Sequence, residues 1–266
     1  MTLAILVRGV GDVGSAVAHR LFRSRYAVAM HDDPMPTTTR RGMAFADAVF
    51  DGAATVDGIE AVRVDDVQGV DQVLAQRRVI ALHIGPLPSL LATVRPDVLV
   101  DARMRKRDEP ENQRGLAPLV IGLGPNFVAG RNCDLTVETS WAALGAVITE
   151  GPALPLAGEP RALGGHGRDR YVYAPIAGVF TTGARIGDSV ASGEVVAAIG
   201  AHPIAAPLAG VLRGLARSGV PITIGTKILE VDPRGDSAAQ VSGLGDRPVR
   251  IAEGVLKAIR QWRGRV

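Results

Sequence analysis

The chain has 266 residues, 47% of them hydrophobic and only 4% aromatic, with a formal net charge of +3. A chain of this length holds one large domain or two ordinary ones around an aliphatic core, and so small a charge gives no ground for a nucleic-acid partner. The single cysteine, Cys133, excludes an intrachain disulfide and fits a reducing compartment. No apolar run approaches the roughly 18 residues that cross a membrane, and LAILV is too short for a signal-peptide core, so a cytoplasmic protein without a membrane partner is expected.

Residues 3–20, LAILVRGVGDVGSAVAHR, read as an apolar strand, a glycine turn and the start of an amphipathic helix. This is the context in which G-x-G-x-x-G carries meaning. Gly9 permits the tight turn, Gly11 lets the backbone approach a pyrophosphate, and Gly14 lets the helix pack close to the strand. The helix start at Asp12 and Val13 offers N–H groups and a partial positive charge to an anion. Two residues are unusual. Arg8 precedes the first glycine where a dehydrogenase usually has a small residue, and Asp12 either opposes a pyrophosphate or caps the helix. The next strand, YAVAMH (26–31), ends at Asp32 and Asp33, about where an acid meets a ribose hydroxyl.

Further along, ATVDGIEAVRV (54–64) predicts a hairpin on a type I′ Asp-Gly turn. VDQVLAQRR (70–78) predicts a helix, VIALHI (79–84) a buried strand, and Ser89 to Val94 a second helix before Pro96. PDVLVDARMRKR (96–107) predicts a parallel strand running into Asp101, Arg103, Arg105, Lys106 and Arg107. Ligands of open α/β sheets sit beyond the carboxyl ends of the strands, which puts Asp101 and Arg103 at the depth of Gly9 and Asp32. APLVIGLGPNFVAG (117–130) adds a strand and a turn in which Gly122 and Gly124 either present N–H groups to an anion or simply join strands. DLTVET (134–139) alternates as a strand after Cys133, a residue that fills core or serves as a reactive thiol. EGVLKAIRQW (253–262) predicts a closing helix that returns to the N-terminal region.

No catalytic constellation emerges. His19, His31, His83, His166 and His202 show no metal-type pairing, no metal is expected, and there is no nucleophile elbow or P-loop. Asp101, Lys106 and Cys133 are the candidates for chemistry.

A second organising feature is a repeat. APIAGV (174–179) recurs as APLAGV (206–211), and the alignment continues without a gap through Gly193 and Gly225 to VVAAI (195–199) and KILEV (227–231). Short β-prone runs separated by Gly, Pro and Ser predict two interlocking copies of small strands. This region resembles the biotinyl/lipoyl domain, a barrel-sandwich hybrid. The joining segment IGAHPI carries Ala201, His202 and Pro203 at its tip and no lysine, and Lys227 lies in the body of the second copy, so a swinging-arm carrier is rejected.

The blocks LVRGVGDVGSAVAHRLF, AFADAVFDG, PDVLVDARMRKR, APLVIGLGPNFVAG, VET, APLAGVLRGL and KILEVDPRG together resemble the YqeB-type proteins, associated with the selenium-dependent molybdenum hydroxylase system, over nearly the whole chain. Asp32, Cys133 and His166 fall at positions shared with such relatives. SWAALG replaces an Arg-Gly-His segment after Thr139, and Asn126 stands at a turn glycine. Some relatives carry a module resembling XdhC ahead of this region, and nothing in this chain resembles it.

The expected architecture is α/β: a Rossmann-like open parallel sheet over 1–165, a small all-β barrel-sandwich hybrid over 166–235, and a C-terminal helix over 236–266 packing on the first domain. The resemblance implies an accessory or maturation protein of a molybdenum hydroxylase client. It would bind a nucleotide-containing cofactor such as molybdopterin dinucleotide through Arg8, Gly9, Gly11, Asp12, Val13, Gly14, Asp32, Asp101, Arg103, Gly122 and Gly124. The alternatives are an NAD(P)-dependent oxidoreductase, with Asp32 on the ribose and Asp101 or Lys106 near the substrate, and a non-catalytic adaptor that docks a partner through the β domain. Homo-oligomerisation is left open.

Overall fold

The computed structural model describes residues 2–105, 108–156, 160–235 and 239–264, which fall into two compact units. The first unit (Met1–Pro34, Ala44–Ala157 and Leu244–Val266) opens with β1 (Ala4–Arg8), α1 (Asp12–Arg23) and β2 (Ala27–His31). Next come the single turn α2 (Ala48–Asp51), β3 (Ala53–Val56), β4 (Ile59–Arg63), α3 (Val67–Gln76), β5 (Ile80–His83), α4 (Leu87–Val94) and β6 (Val98–Asp101). β7 (Leu119–Leu123), β8 (Val128–Ala129), β9 (Leu135–Val137), β10 (Val147–Ile148), β11 (Gly151–Pro152) and the C-terminal helix α5 (Asp246–Arg263) complete it.

Nine of these strands form one sheet in the order β10-β9-β7-β6-β1-β2-β5-β4-β3. The seven inner strands are parallel, whereas β3 and β10 run antiparallel at the two edges. The expected open parallel sheet is therefore corrected to a mixed one. The cause is local. Asp57 (φ +44) and Gly58 (φ +77) make the two-residue turn that folds β4 back on β3. Nine residues between β9 and β10 are likewise too few for the dozen or more a parallel crossover needs. The β6-to-β7 crossover also departs from a doubly wound pattern, since the described part of 102–118 holds no helix.

Strand alternation sends Ile5, Val7, Val28 and Met30 to one face, under α1 and α5, and Leu6, Ala27, Ala29 and Leu99 to the other, under α3 and α4. α5 packs along α1, with an Arg20–Glu253 ion pair across the seam. Asp66 caps α3 by accepting the Gly69 amide at 2.7 Å.

The second unit (Met35–Met43 and Gly158–Gly243) contains β12 (Tyr171–Tyr173), β13 (Gly178–Thr181), β14 (Ser189–Val190), β15 (Val195–Ile199), β16 (His202–Ala205), β17 (Gly210–Leu215), β18 (Pro221–Ile222) and β19 (Lys227–Asp232). The expected barrel-sandwich hybrid is corrected to two four-stranded antiparallel sheets, β12-β19-β17-β14 and β16-β15-β13-β18. The sequence repeat is visible in the pairing. Gly178 of β13 faces Ile222 of β18, and Gly210 of β17 faces Val190 of β14, so each copy's first strand pairs with the other copy's second. Gly178 (φ +156) and Gly210 (φ +153) share one backbone conformation that a Cβ would strain. A Cβ at Gly210 would also collide with the Asp232 carbonyl.

Candidate functional site

Five neighbouring parallel strands share one register row near their carboxyl ends: His83 of β5, His31 of β2, Arg8 of β1 and Asp101 of β6, each the last residue of its strand, and Gly122, the last but one of β7. In-register neighbours point to the same side of a sheet. The row continues the alternation of Ala81, Ala29, Leu6, Leu99 and Val120, so it lies on the α3/α4 face at the carboxyl edge. His83 Nδ1 donates to Val64 O at 2.8 Å, leaving its buried Nε2 without a partner among the described residues, and His31 Nε2 donates to Gly85 O at 2.9 Å. Burial, with Arg8 and His83 nearby, pulls the His31 pKa below its ordinary value, favouring the neutral ring.

The centre of the row is ionic. Arg8 is 7% exposed, Asp101 2% and Gln113 0%. Arg8 Nη1 donates to Gln113 Oε1 at 2.7 Å and to Glu111 Oε1 at 2.9 Å. Gln113 Nε2 donates to Asp101 Oδ2 at 2.7 Å, and the Arg103 guanidinium grips both Asp101 oxygens. Arg103 Nη2 also donates to Glu111 Oε1 at 2.7 Å, and Arg105 pairs with the other Glu111 oxygen. Three guanidiniums thus converge on one carboxylate whose side chain is 46% exposed. Burial alone would raise the Asp101 and Glu111 pKa values, but the arginines outweigh it and hold both carboxyls below the usual range. Burial, reinforced by Arg103, lowers the Arg8 value.

The glycine turn lies beside this cluster. Gly9 has φ +111, and a Cβ there would stand 2.7 Å from Ala102 O. A Cβ on Gly14 would overlap the Gly9 carbonyl oxygen. Gly11 is the extended N-cap of α1, Val13 is buried in the core, and Asp12 accepts the Val13 amide at 3.0 Å. Asp32 turns back onto the glycine turn, accepting the Val10 amide at 2.7 Å and the Asp33 amide at 2.8 Å. At Gly122 a Cβ would enter the Phe127 ring, so that glycine makes room for an aromatic side chain. Gly124 (φ +89) packs against Thr139, and Asn126 takes φ +71 in the same turn. Cys133 is 0% exposed and its thiol is pushed up to about 12 by burial, which keeps it protonated and inert at neutral pH. Lys106 and Arg107 lie outside the described residues.

Arg8, Asp101 and Arg103 are therefore brought together, Asp32 joins the glycine turn, and Cys133 lies apart in the core. Glu111, Gln113, and the alignment of His31 with His83 escape a sequence reading. The available signal was that four apolar strands each end in a polar residue (VR, MH, LH and VD).

The second unit holds another polar cluster that sequence reading does not find. Glu230, 0% exposed on β19, accepts from Arg170 Nη1 at 2.5 Å, Arg40 Nε at 3.0 Å, Lys227 Nζ at 2.9 Å and Arg213 Nη1 at 3.3 Å. The Arg170 guanidinium and the Lys227 ammonium each lie over the Tyr171 ring, 4.3 and 4.5 Å from its centre. Among the described residues no group of three or more His, Cys, Asp or Glu is placed to hold a metal ion, and no helix is long and apolar enough to cross a membrane.

The chain is 38% identical over 258 residues to the "Uncharacterized protein YqeB" of Escherichia coli (strain K12), covering 96% of this chain and 47% of that one. It thus spans about half the length of the curated relative it matches, in agreement with the YqeB resemblance of its blocks. No family model matches. Among solved structures it is similar to an aspartoacylase family protein from Mesorhizobium loti, at 9% identity over 87% of this chain and 85% of that one, with a TM-score of 0.28. A succinylglutamate desuccinylase/aspartoacylase from Rhodobacter sphaeroides gives 15% identity, 86% and 85% coverage and a TM-score of 0.26. Likeness this loose lends the chain neither fold nor activity.

These findings correct the functional expectations. The YqeB name brings no molybdenum hydroxylase role with it. The geometry of the glycine turn departs from a dinucleotide site, because Asp32 is engaged with the Val10 amide and Gly122 is covered by Phe127. The molybdopterin dinucleotide, NAD(P) and adaptor readings are set aside.

Proposed function

We propose that the first unit is a small-molecule binding domain whose site is the carboxyl edge of the mixed sheet on its α3/α4 face, and that its ligand carries an oxyanion, a carboxylate or a phosphate. The observation that carries this is the convergence of Arg8, Arg103 and Arg105 on a single partly exposed carboxylate. Planar guanidiniums match oxyanions with two donors each, and a site walled by protein strengthens such bonds. Two of the three are fixed independently, Arg8 by Gln113 and Arg103 by Asp101, so the donors are oriented in advance. The place also suits a ligand, since parallel strands leave a crevice beyond their carboxyl ends.

The test is thermal unfolding of the intact chain in hexanoate or phosphate against chloride at matched ionic strength. A melting temperature that rises with either anion, with the rise absent from Arg103→Ala, supports the reading. The same response in both proteins overturns it.

A further inference from the structure

We infer that Glu111 is the built-in occupant of the guanidinium clamp, and that the ligand is a monocarboxylate with a short apolar body that binds by displacing it. This rests on the oxyanion-site reading above and deepens it. The clamp survives without Glu111. Arg8 keeps Gln113 Oε1 at 2.7 Å, Arg103 keeps both oxygens of Asp101, and Gln113 is pinned through its own amide to Asn132 O at 3.0 Å. Glu111 itself sits two residues before that anchor on an irregular segment, half in solvent. With Glu111 in place the clamp is not saturated, because the buried Arg8 Nε has no hydrogen-bond partner among the described residues.

The neighbouring space indicates what else the ligand brings. Asp101, Met104, Arg105, Pro110, Leu123 and Phe127, with Pro125, line a cleft of about 10 Å³, the room of one water. Pro110 is the residue before Glu111, so moving that segment removes one wall and opens a slot faced by Met104, Leu123, Pro125 and Phe127. Met104 turns the rim at φ +56, a backbone region uncommon for a side chain of its size. A tethered carboxylate competes at an effective concentration of roughly millimolar or above. A free carboxylate that offers nothing more loses to Glu111, and one that also buries an apolar chain against this wall prevails.

The experiment is calorimetric titration of the full chain with hexanoate and with acetate at constant ionic strength, on the intact protein, Glu111→Ala, Glu111→Gln and Glu109→Gln. Glu109, paired with Arg131 and 73% exposed at its side chain, controls for the loss of one negative charge nearby. Hexanoate is expected to bind Glu111→Ala about tenfold tighter than the intact chain, the scale of one charge-assisted bond removed from the competing state. Glu109→Gln should match the intact chain, and acetate should bind more weakly than hexanoate throughout. Glu111→Gln keeps the shape without the charge and carries the test if the alanine variant does not fold. Equal affinity in the intact and Glu111-substituted proteins overturns the displacement and leaves the oxyanion site standing. An equal gain in Glu109→Gln also overturns displacement, and no binding to any protein overturns both readings.

Discussion

The Asp32 carboxylate accepts the backbone N–H of Val10 at 2.7 Å, so the acid at the end of β2 closes the glycine turn instead of facing a ribose. Removing it orphans a backbone donor in a partly buried turn, which costs about 1–3 kcal/mol. At a pH below the unfolded carboxylate value, Asp32→Ala should lower stability by that amount in urea unfolding, whereas Asp32→Asn, which keeps an acceptor, should match the intact protein. The pH dependence has a definite sign. Burial raises the Asp32 pKa above its ordinary value. Its contribution is therefore full below the unfolded pKa and is lost as pH rises through the folded one. Unfolding curves of the intact protein and Asp32→Asn across the acidic range should converge at low pH and separate as pH rises through that window. Parallel curves would show that Asp32 ionises as freely in the fold as outside it.

The glycines of the turn are required by packing. A Cβ on Gly14 would overlap the Gly9 carbonyl, a backbone atom that cannot swing aside, whereas Gly52 at φ +84 has nothing within 4 Å. Gly14→Ala should therefore cost about 1–3 kcal/mol or more through forced separation of α1 from the turn. Gly52→Ala should cost only the strain of a positive φ, of order 1 kcal/mol. Denaturation midpoints of the two variants decide this, and equal losses would refute the clash.

Much of this organisation is legible in the chain because it is local or periodic. The hairpin at Asp57–Gly58 and the runs that become β1, β2, β5, β6 and β7 follow from short-range pattern, and the 32-residue repeat makes Gly178 and Gly210 equivalent positions. What is not legible depends on register across the sheet. His31 and His83 are 52 residues apart and look scattered, and only the β2–β5 pairing makes them neighbours. Glu111 is one charge among many in an irregular segment until Arg8, 103 residues away, meets it. The mixed sheet escaped for a related reason. An edge strand such as β10 has two residues and no apolar period of its own, and is defined by its partner β9.

Cys133 tests whether the core on the α3/α4 face excludes reagents. Its thiol is fully buried and pushed up to about 12, so almost no thiolate exists near neutrality. Labelling by a thiol reagent at pH 8 should be negligible in the native protein and complete in denaturant. Rapid native labelling would show that this face opens locally at low cost.

Glu230 should be the residue on which the second unit depends most. One carboxylate with no solvent exposure accepts from Arg40, Arg170, Arg213 and Lys227, and Arg170 is itself 2% exposed. A buried ion cluster is weak evidence of net stabilisation, but deleting one partner leaves charge uncompensated and costs about 3–5 kcal/mol. Burial would raise the Glu230 pKa, yet Lys227 and Arg40 outweigh it and hold it far below the ordinary carboxylate value of 4.5. With the folded value depressed, the stabilisation is present above about pH 4.5 and is lost as pH falls below it. Glu230→Gln should therefore speed hydrogen exchange at the β17 and β19 amides at neutral pH. It should also flatten the acid dependence of that exchange, because the group that titrates has gone. Unchanged exchange at both strands would mean that the hydrophobic faces of the sheets hold them together without the cluster.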